Sequence, residues 1–348
     1  MEHLTGWAWW LPFIWGGLIA TAVFLYVCMD GFDLGIGILF PLMRDKADRD
    51  VAVNTVAPVW DGNETWLVLG GGGLLAVFPL AYAIILPALY MPLTIMLLGL
   101  VFRGVAFEMR FRAESPGQQR FWDRAFSWGS VAATVAQGIA LGALVQGIRV
   151  EGRSYAGGWW DWVTPFSALT AGALLVGYGL LGACWLMWKT EGDLHRRAAG
   201  LAGPFAVATL VAIAAVSATM PFLQPAFATR WFAFPHLLVA APVPILVVVI
   251  AVAFFRALAA DTGRGGLADA RPFLLALALF LLSYVGLGVS MYPMIVPPHL
   301  DLWQAAAPPS SQAFLLVGAV VLIPIILGYT GYVYWLFRAK VTHDSGYH

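Results

Sequence analysis

Nine long apolar stretches organise this chain, at 11–33, 53–78, 81–103, 125–147, 165–188, 199–222, 235–258, 271–296 and 311–337. A helix of about 20 mostly apolar residues crosses the hydrocarbon core of a bilayer. No water is present there to satisfy backbone polar groups, so a spanning segment must satisfy them itself, as a helix does. The expected fold is an all-α polytopic membrane protein with nine transmembrane helices. Composition agrees, with 61% hydrophobic and 11% charged residues, against about 25% charged in soluble domains. Net charge is zero, which leaves no bulk electrostatic case for a nucleic-acid partner. The longest loops, 103–124 and 148–164, are too short for a soluble domain, so residues 1–348 read as a single transmembrane domain.

Lysine and arginine set the direction. The segments after stretches one, three, five, seven and nine hold 16 of the 19 basic residues, and the opposite side holds only Arg149, Arg153 and Arg230. Positive residues favour the cytoplasmic side, so the N-terminus is expected outside and the C-terminus inside. Tryptophans fit the same picture. Trp7, Trp9, Trp10, Trp159, Trp160, Trp162, Trp231 and Trp303 fall near the outer surface, and Trp122, Trp185, Trp188 and Trp335 near the inner one. Residues 1–43 lack Lys and Arg, so no cleavable signal peptide is expected and the first stretch should stay as a membrane helix. Cys28 and Cys184 fall toward the cytoplasmic helix ends, where a disulfide is not expected.

Against this apolar background stand paired carboxylates. Asp30 and Asp33 close the first stretch in Asp30-Gly31-Phe32-Asp33, and Asp61 and Glu64 follow in Trp60-Asp61-Gly62-Asn63-Glu64-Thr65-Trp66. A carboxylate in the membrane costs about 2.5 kcal/mol or more, so it normally has a partner, a wet cavity or a proton to carry. Three residues apart, each pair shares a helix face, and double ionisation there is expensive. The direction of the spans puts Asp30 and Asp33 near the inner surface and Asp61 and Glu64 about 10–15 Å deeper at helical rise. The four would form a ladder leading in from the cytoplasm, with Asn63, Thr65 and Tyr26 supplying hydrogen bonds. A structural reading stands beside it: Asp33 facing water or capping a helix, and Asp61 and Glu64 pairing with Arg103 or with a partner subunit. Arg103 and Glu108 read as a surface pair at the end of the third span. Tyr329, Tyr332 and Tyr334 read as packing residues.

Gly16, Gly17, Gly31, Gly35 and Gly37 in the first span and Gly70 to Gly73 in the second suit close helix approach; the glycine quartet is also compatible with local unwinding. Of the six histidines, only His236 falls near a span, at its outer end, and His3, His195, His299, His343 and His348 read as loop or tail residues. Haem iron usually takes His, Met or Cys as axial ligand. Met91, Met96, Met291 and Met294 could serve in principle but suit packing better. On residues alone, no redox metal is expected in this chain.

The motifs Asp30-Gly31-Phe32-Asp33-Leu34-Gly35 and Pro58-Val59-Trp60-Asp61-Gly62-Asn63-Glu64-Thr65-Trp66 resemble subunit II of the cytochrome bd-type quinol oxidases. Phe102-Arg103-Gly104-Val105-Ala106-Phe107-Glu108, Met291-Tyr292-Pro293 and Ser310-Ser311-Gln312 fit the same family. The resemblance implies two four-helix bundles, about 11–147 and 165–296, plus a peripheral helix at 311–337. It implies an oxidase that oxidises quinol and reduces oxygen to water in the bacterial cytoplasmic membrane. Haems b and d would sit in a homologous subunit I, none in this chain, where a structural quinone is the one cofactor to expect. A small single-helix subunit would complete the complex. This chain would support assembly and supply a proton path from the cytoplasm. Asp61 matches the family's proton-path carboxylate, and Asp30 and Asp33 match its entrance. Glu64 stands where other members carry Gln; with the short loops, it is more similar to the cyanide-insensitive branch. The rivals are a proton- or sodium-coupled secondary transporter, whose buried carboxylates would bind the ion, and a purely structural assembly partner.

Overall fold

The computed structural model describes residues 6–261, 263 and 267–342; His3, His343 and His348 lie outside them. The chain opens with α1 (Trp7–Leu39), the short polar helix α2 (Lys46–Asn54) and α3 (Trp60–Val77). It continues through α4 (Pro79–Ala88), α5 (Tyr90–Met109) and α6 (Pro116–Gln146) to a small hairpin, β1 (Val150–Glu151) with β2 (Ser154–Tyr155). Then come α7 (Pro165–Lys189), α8 (Gly192–Leu223), α9 (Pro225–Phe232), α10 (His236–Ala240), α11 (Pro242–Ala259) and α12 (Leu267–Met291). A second hairpin, β3 (Met294–Val296) with β4 (Leu300–Asp301), leads through α13 (Leu302–Ala305) to α14 (Pro309–Leu336).

Eight of these helices, α1, α5, α6, α7, α8, α11, α12 and α14, are long and apolar enough to cross a membrane. Their starts follow local chemistry. Ser115 accepts a hydrogen bond from the Gln118 backbone with Pro116 in the first turn of α6, and Thr164 and Ser167 form a reciprocal capping box before α7. Such caps satisfy backbone donors that the helix itself leaves unpaired.

Several expected boundaries move. The second stretch does not begin at 53: residues 55–59 form turns and α3 starts at Trp60. Pro58 disfavours helical backbone in the residue before it. Its polar first turns leave α3, 18 residues long, outside the eight strongly apolar helices. The third span is not 81–103. The chain breaks at Leu89, because Pro92 has no N–H to donate to Ala88, and α4 packs beside β2, β3 and α13. The crossing segment is α5, which runs six residues beyond Arg103. The seventh span shortens to α11, which starts at Pro242, and the eighth shifts to α12, which starts at Leu267 and ends at Met291, two residues before Pro293.

Glycine lets the central helices touch. A Cβ on Gly35 of α1 would lie 2.0 Å from the Tyr178 carbonyl of α7, and one on Gly182 would lie 2.5 Å from the Gly35 backbone. Gly99 and Gly129 play the same part where α5 crosses α6. The quartet stays helical within α3, with Gly70 and Gly73 against Val23 and Ile19 of α1. The most enclosed span is α7, with 67% of its apolar segment buried, whereas α14 has none. Trp185, expected at the inner headgroup level, is instead a core residue. It stacks on Phe32 at 4.1 Å and donates to Thr55. Cys28 and Cys184 are buried free thiols.

Candidate functional site

Where α1, α3 and α5 meet, one guanidinium faces three carboxylates. Arg103 is 2% exposed, and its Nη2 lies 2.7 Å from Asp30 Oδ1 while also donating to Glu64 Oε1. Asp33, one turn along α1 from Asp30, accepts a 2.8 Å hydrogen bond from Asn63 Nδ2. Asp33 Oδ1 is buried with no hydrogen-bond partner among the described residues. Asn63 is the hub of a second link: it also donates to the Met29 carbonyl and accepts from the Tyr334 hydroxyl of α14 at 2.8 Å.

Small residues and aromatics shape the walls. Gly104 leaves room for the Trp60 ring, 3.3 Å from where its Cβ would be, and Trp60 stacks on Phe107. Gly31, between the two aspartates, leaves room for Tyr178, whose ring would lie 2.7 Å from a Cβ there. Gly104 and Gly31 therefore each admit an aromatic ring beside the cluster, Trp60 of α3 and Tyr178 of α7.

Because α1 and α3 run in opposite directions, Asp30 and Glu64 share one level, and Asp33 and Asp61 lie one turn nearer the end of α1. Asp61 is thus not the deepest acid, as expected from its position along the chain. It sits in the first turn of α3, exposed on the face of the protein, and Gly62 and Thr65 are exposed with it. The Glu64 side chain is 26% exposed, whereas Asp30 and Asp33 are sealed. The site is half-open: two acids reach a surface and two lie behind them around Arg103.

Sequence reasoning placed the four acids but underrated three other residues. Arg103 does not pair with Glu108, which is exposed and faces Arg112 across 3.8 Å. An arginine inside a 20-residue apolar helix was itself the signal, masked by taking it as the helix end. Tyr334 is tied to Asn63 rather than only packed, a contact across 271 positions that no local pattern encodes. His195 is not a loop residue. It is buried in the first turn of α8, with Nδ1 2.8 Å from the Met187 carbonyl and Nε2 2.7 Å from Asp261. Both ring nitrogens are engaged, so it presents no free nitrogen as an axial ligand. No cluster of His, Cys, Asp and Glu that could hold a metal occurs among the described residues.

Residues 11–337 match the family described as cytochrome bd terminal oxidase subunit II. Cytochrome bd-I ubiquinol oxidase subunit 2 of Escherichia coli K12 is 29% identical, with 96% of each chain covered. Cytochrome bd ubiquinol oxidase subunit 2 of Bacillus subtilis is 28% identical, covering 95% of this chain and 97% of that one. The solved structure of bd oxidase from Geobacillus thermodenitrificans superposes with a TM-score of 0.77 at 15% identity, over 94% of this chain and 98% of the other.

Proposed function

The chain belongs to the cytochrome bd terminal oxidase subunit II family, and on that premise we propose that its acid cluster delivers cytoplasmic protons for oxygen reduction in subunit I. It is a subunit of a quinol oxidase, an oxidoreductase complex of the respiratory chain. In this reading it also supports assembly of the haem-bearing subunit, alongside a small single-helix subunit, with its N-terminus outside the cytoplasmic membrane. Haems b and d of subunit I supply the redox chemistry. A quinone bound in this chain would be structural.

The observation that carries the reading is the exposure of Asp61. An ionisable group turned toward lipid is costly, so water and a protein partner together would cover the α3 face that bears Asp61, Gly62 and Thr65. Reducing oxygen to water consumes one proton per electron, and the electrons come from quinol, whose own protons leave on the outer side. Exposed Asp61 and half-buried Glu64 exchange protons with water and hand them to the partner. Asp30 and Asp33, expected at the entrance, are sealed behind them and in this reading hold protons in reserve for Glu64 and Asp61. With three carboxylates around one guanidinium, full ionisation would leave two uncompensated charges. At an effective dielectric constant of about 20, like charges 4 Å apart cost about 4 kcal/mol, so the cluster is built to gain and lose protons.

The test is Asp61→Asn in the intact complex. Oxygen uptake should fall at least about tenfold, a barrier increase of about 1.4 kcal/mol, while the reduced-minus-oxidised haem spectrum is retained. Full turnover would rule out the relay, and loss of the haem signal would assign Asp61 to assembly.

A further inference from the structure

Two lysines fasten the end of the last span. Tyr334 of α14 donates to Asn63, the amide that in turn donates to Asp33. Yet α14 is the least enclosed span, with none of its apolar segment buried, so packing along its length does little to fix where Tyr334 points. The residues that follow the helix supply the hold. Lys189, at the end of α7 and 3% exposed, donates to the Phe337 carbonyl at 2.5 Å and the Ala339 carbonyl at 2.9 Å. Lys340 reaches the other way, donating to the Thr190 carbonyl at 3.0 Å and to Asp269 of α12 at 2.7 Å. Between them the Val341 N–H donates to the Lys189 carbonyl at 2.8 Å.

The exchange is reciprocal. A helix leaves its last carbonyls without partners, and cations are favoured beside them. Phe337 follows α14 and Thr190 follows α7, so each helix end is closed by a lysine from the other segment. Burying an ammonium is costly unless it is hydrogen-bonded. Among the described residues, the acceptors of Lys189 both lie in the tail, and its ammonium faces the Trp185 ring 5.5 Å away. Hydrogen bonds from a charged donor are about twice as strong as neutral ones. Trp185 stacks on Phe32, which stands next to Asp33 in α1, and meets the Tyr334 ring edge-on at 6.2 Å. The fastening and the acid share one aromatic wall.

We propose that Lys189 and Lys340 are positioning residues: they clasp residues 337–341 to α7 and α12, and so set Tyr334 and, through Asn63, the orientation of the Asp33 carboxyl. Every link from Lys189 to Asp33 is a hydrogen bond or a short run of chain. The consequence for turnover rests on the proton-delivery reading; the hold on Asp33 rests on the hydrogen bonds.

The experiment uses the intact oxidase in vesicles with a specific protease site inserted after Arg338, which is exposed. Cutting the assembled complex detaches Ala339, Lys340 and Val341 from α14 with the haems already in place, so no weakened variant has to fold. Lys189→Met and Asn63→Leu are compared with it. The readouts are haem content, oxygen uptake and the infrared carboxyl band assigned to Asp33 by its loss in Asp33→Asn. Asn63→Leu deletes the bond to Asp33 and should move the band furthest, to higher frequency. Cutting the tail and Lys189→Met should move it the same way by less, with haem content kept and oxygen uptake lowered about threefold. A band unmoved by cutting the tail would overturn the proposal, whatever happens to oxygen uptake, because the clasp would then be structural only. So would a band indifferent to Asn63→Leu. A band moved by the cut, with oxygen uptake indifferent even to Asp33→Asn, would uphold the clasp and reject proton delivery instead.

Discussion

Two arginines of α5, Arg103 and Arg110, are two helical turns apart and both buried, yet their surroundings are opposite in charge. Arg103 is outnumbered, facing Asp30, Glu64 and, one turn away, Asp33. Around Arg110 the acids are outnumbered. Asp123 is held by Arg110 at 2.9 Å and by Arg49 at 3.0 Å, and Asp50 by Arg110 and Lys46, each at 2.9 Å. Arg49 also donates to the Met43 and Arg44 carbonyls. The second cluster ties α2 to α5 and α6 with every carboxylate compensated. The first is left short of positive charge, and two of its acids, Asp61 and Glu64, reach the protein's face. Burial of ions alone therefore does not mark function in this protein; the sign of the imbalance does.

The largest effect should come from emptying the outnumbered site of its cation. Arg103→Leu leaves three acids without a counter-charge, and breaking a buried pair in this way costs about 3–5 kcal/mol. The complex should fail to accumulate, measured by haem content of the membranes. Normal haem content would mean that the acids are compensated by something other than Arg103.

A sharper contrast comes from neutralising one acid in each cluster. Asp123→Asn removes the carboxylate shared by two arginines and should lower the thermal midpoint of the complex by several degrees, as about 1–3 kcal/mol lost from a buried charged network implies, with turnover per folded complex unchanged. Asp30→Asn relieves excess negative charge, so the midpoint should stay or rise while turnover falls. Parallel behaviour of the two variants in calorimetry and oxygen uptake would erase the distinction between the clusters. The smallest effect is expected from Tyr334→Phe, which deletes one hydrogen bond to Asn63 worth about 1 kcal/mol and should weaken the docking of α14, read as faster proteolysis of residues 337–342.

Much of this was legible in the chain itself. Apolar length and the distribution of basic residues sufficed to recognise a helical membrane protein, and the four acids stood out against lipid-compatible neighbours. What the chain could not display was depth. Asp61 and Glu64 read as the deeper pair by counting from the loop, but Pro58 delays the start of α3 until Trp60 and so places Asp61 in its first turn. Arg103 read as a helix end because charged residues usually mark one, whereas α5 begins late, after the break at Leu89, and runs on to Met109. His195 and Tyr334 owe their roles to partners 66 and 271 positions away, which only packing brings together.

The account turns on protons reaching the oxidase through the half-open acid cluster and not through the compensated one. Proton uptake from the inner side during a single turnover, followed by flash-started oxygen reduction in vesicles holding Asp61→Asn or Asp123→Asn complexes, separates the two directly. Uptake and oxygen reduction should slow together by about tenfold or more in Asp61→Asn and run at the parent rate in Asp123→Asn. Unslowed uptake in Asp61→Asn, or equal slowing in both, would contradict the account.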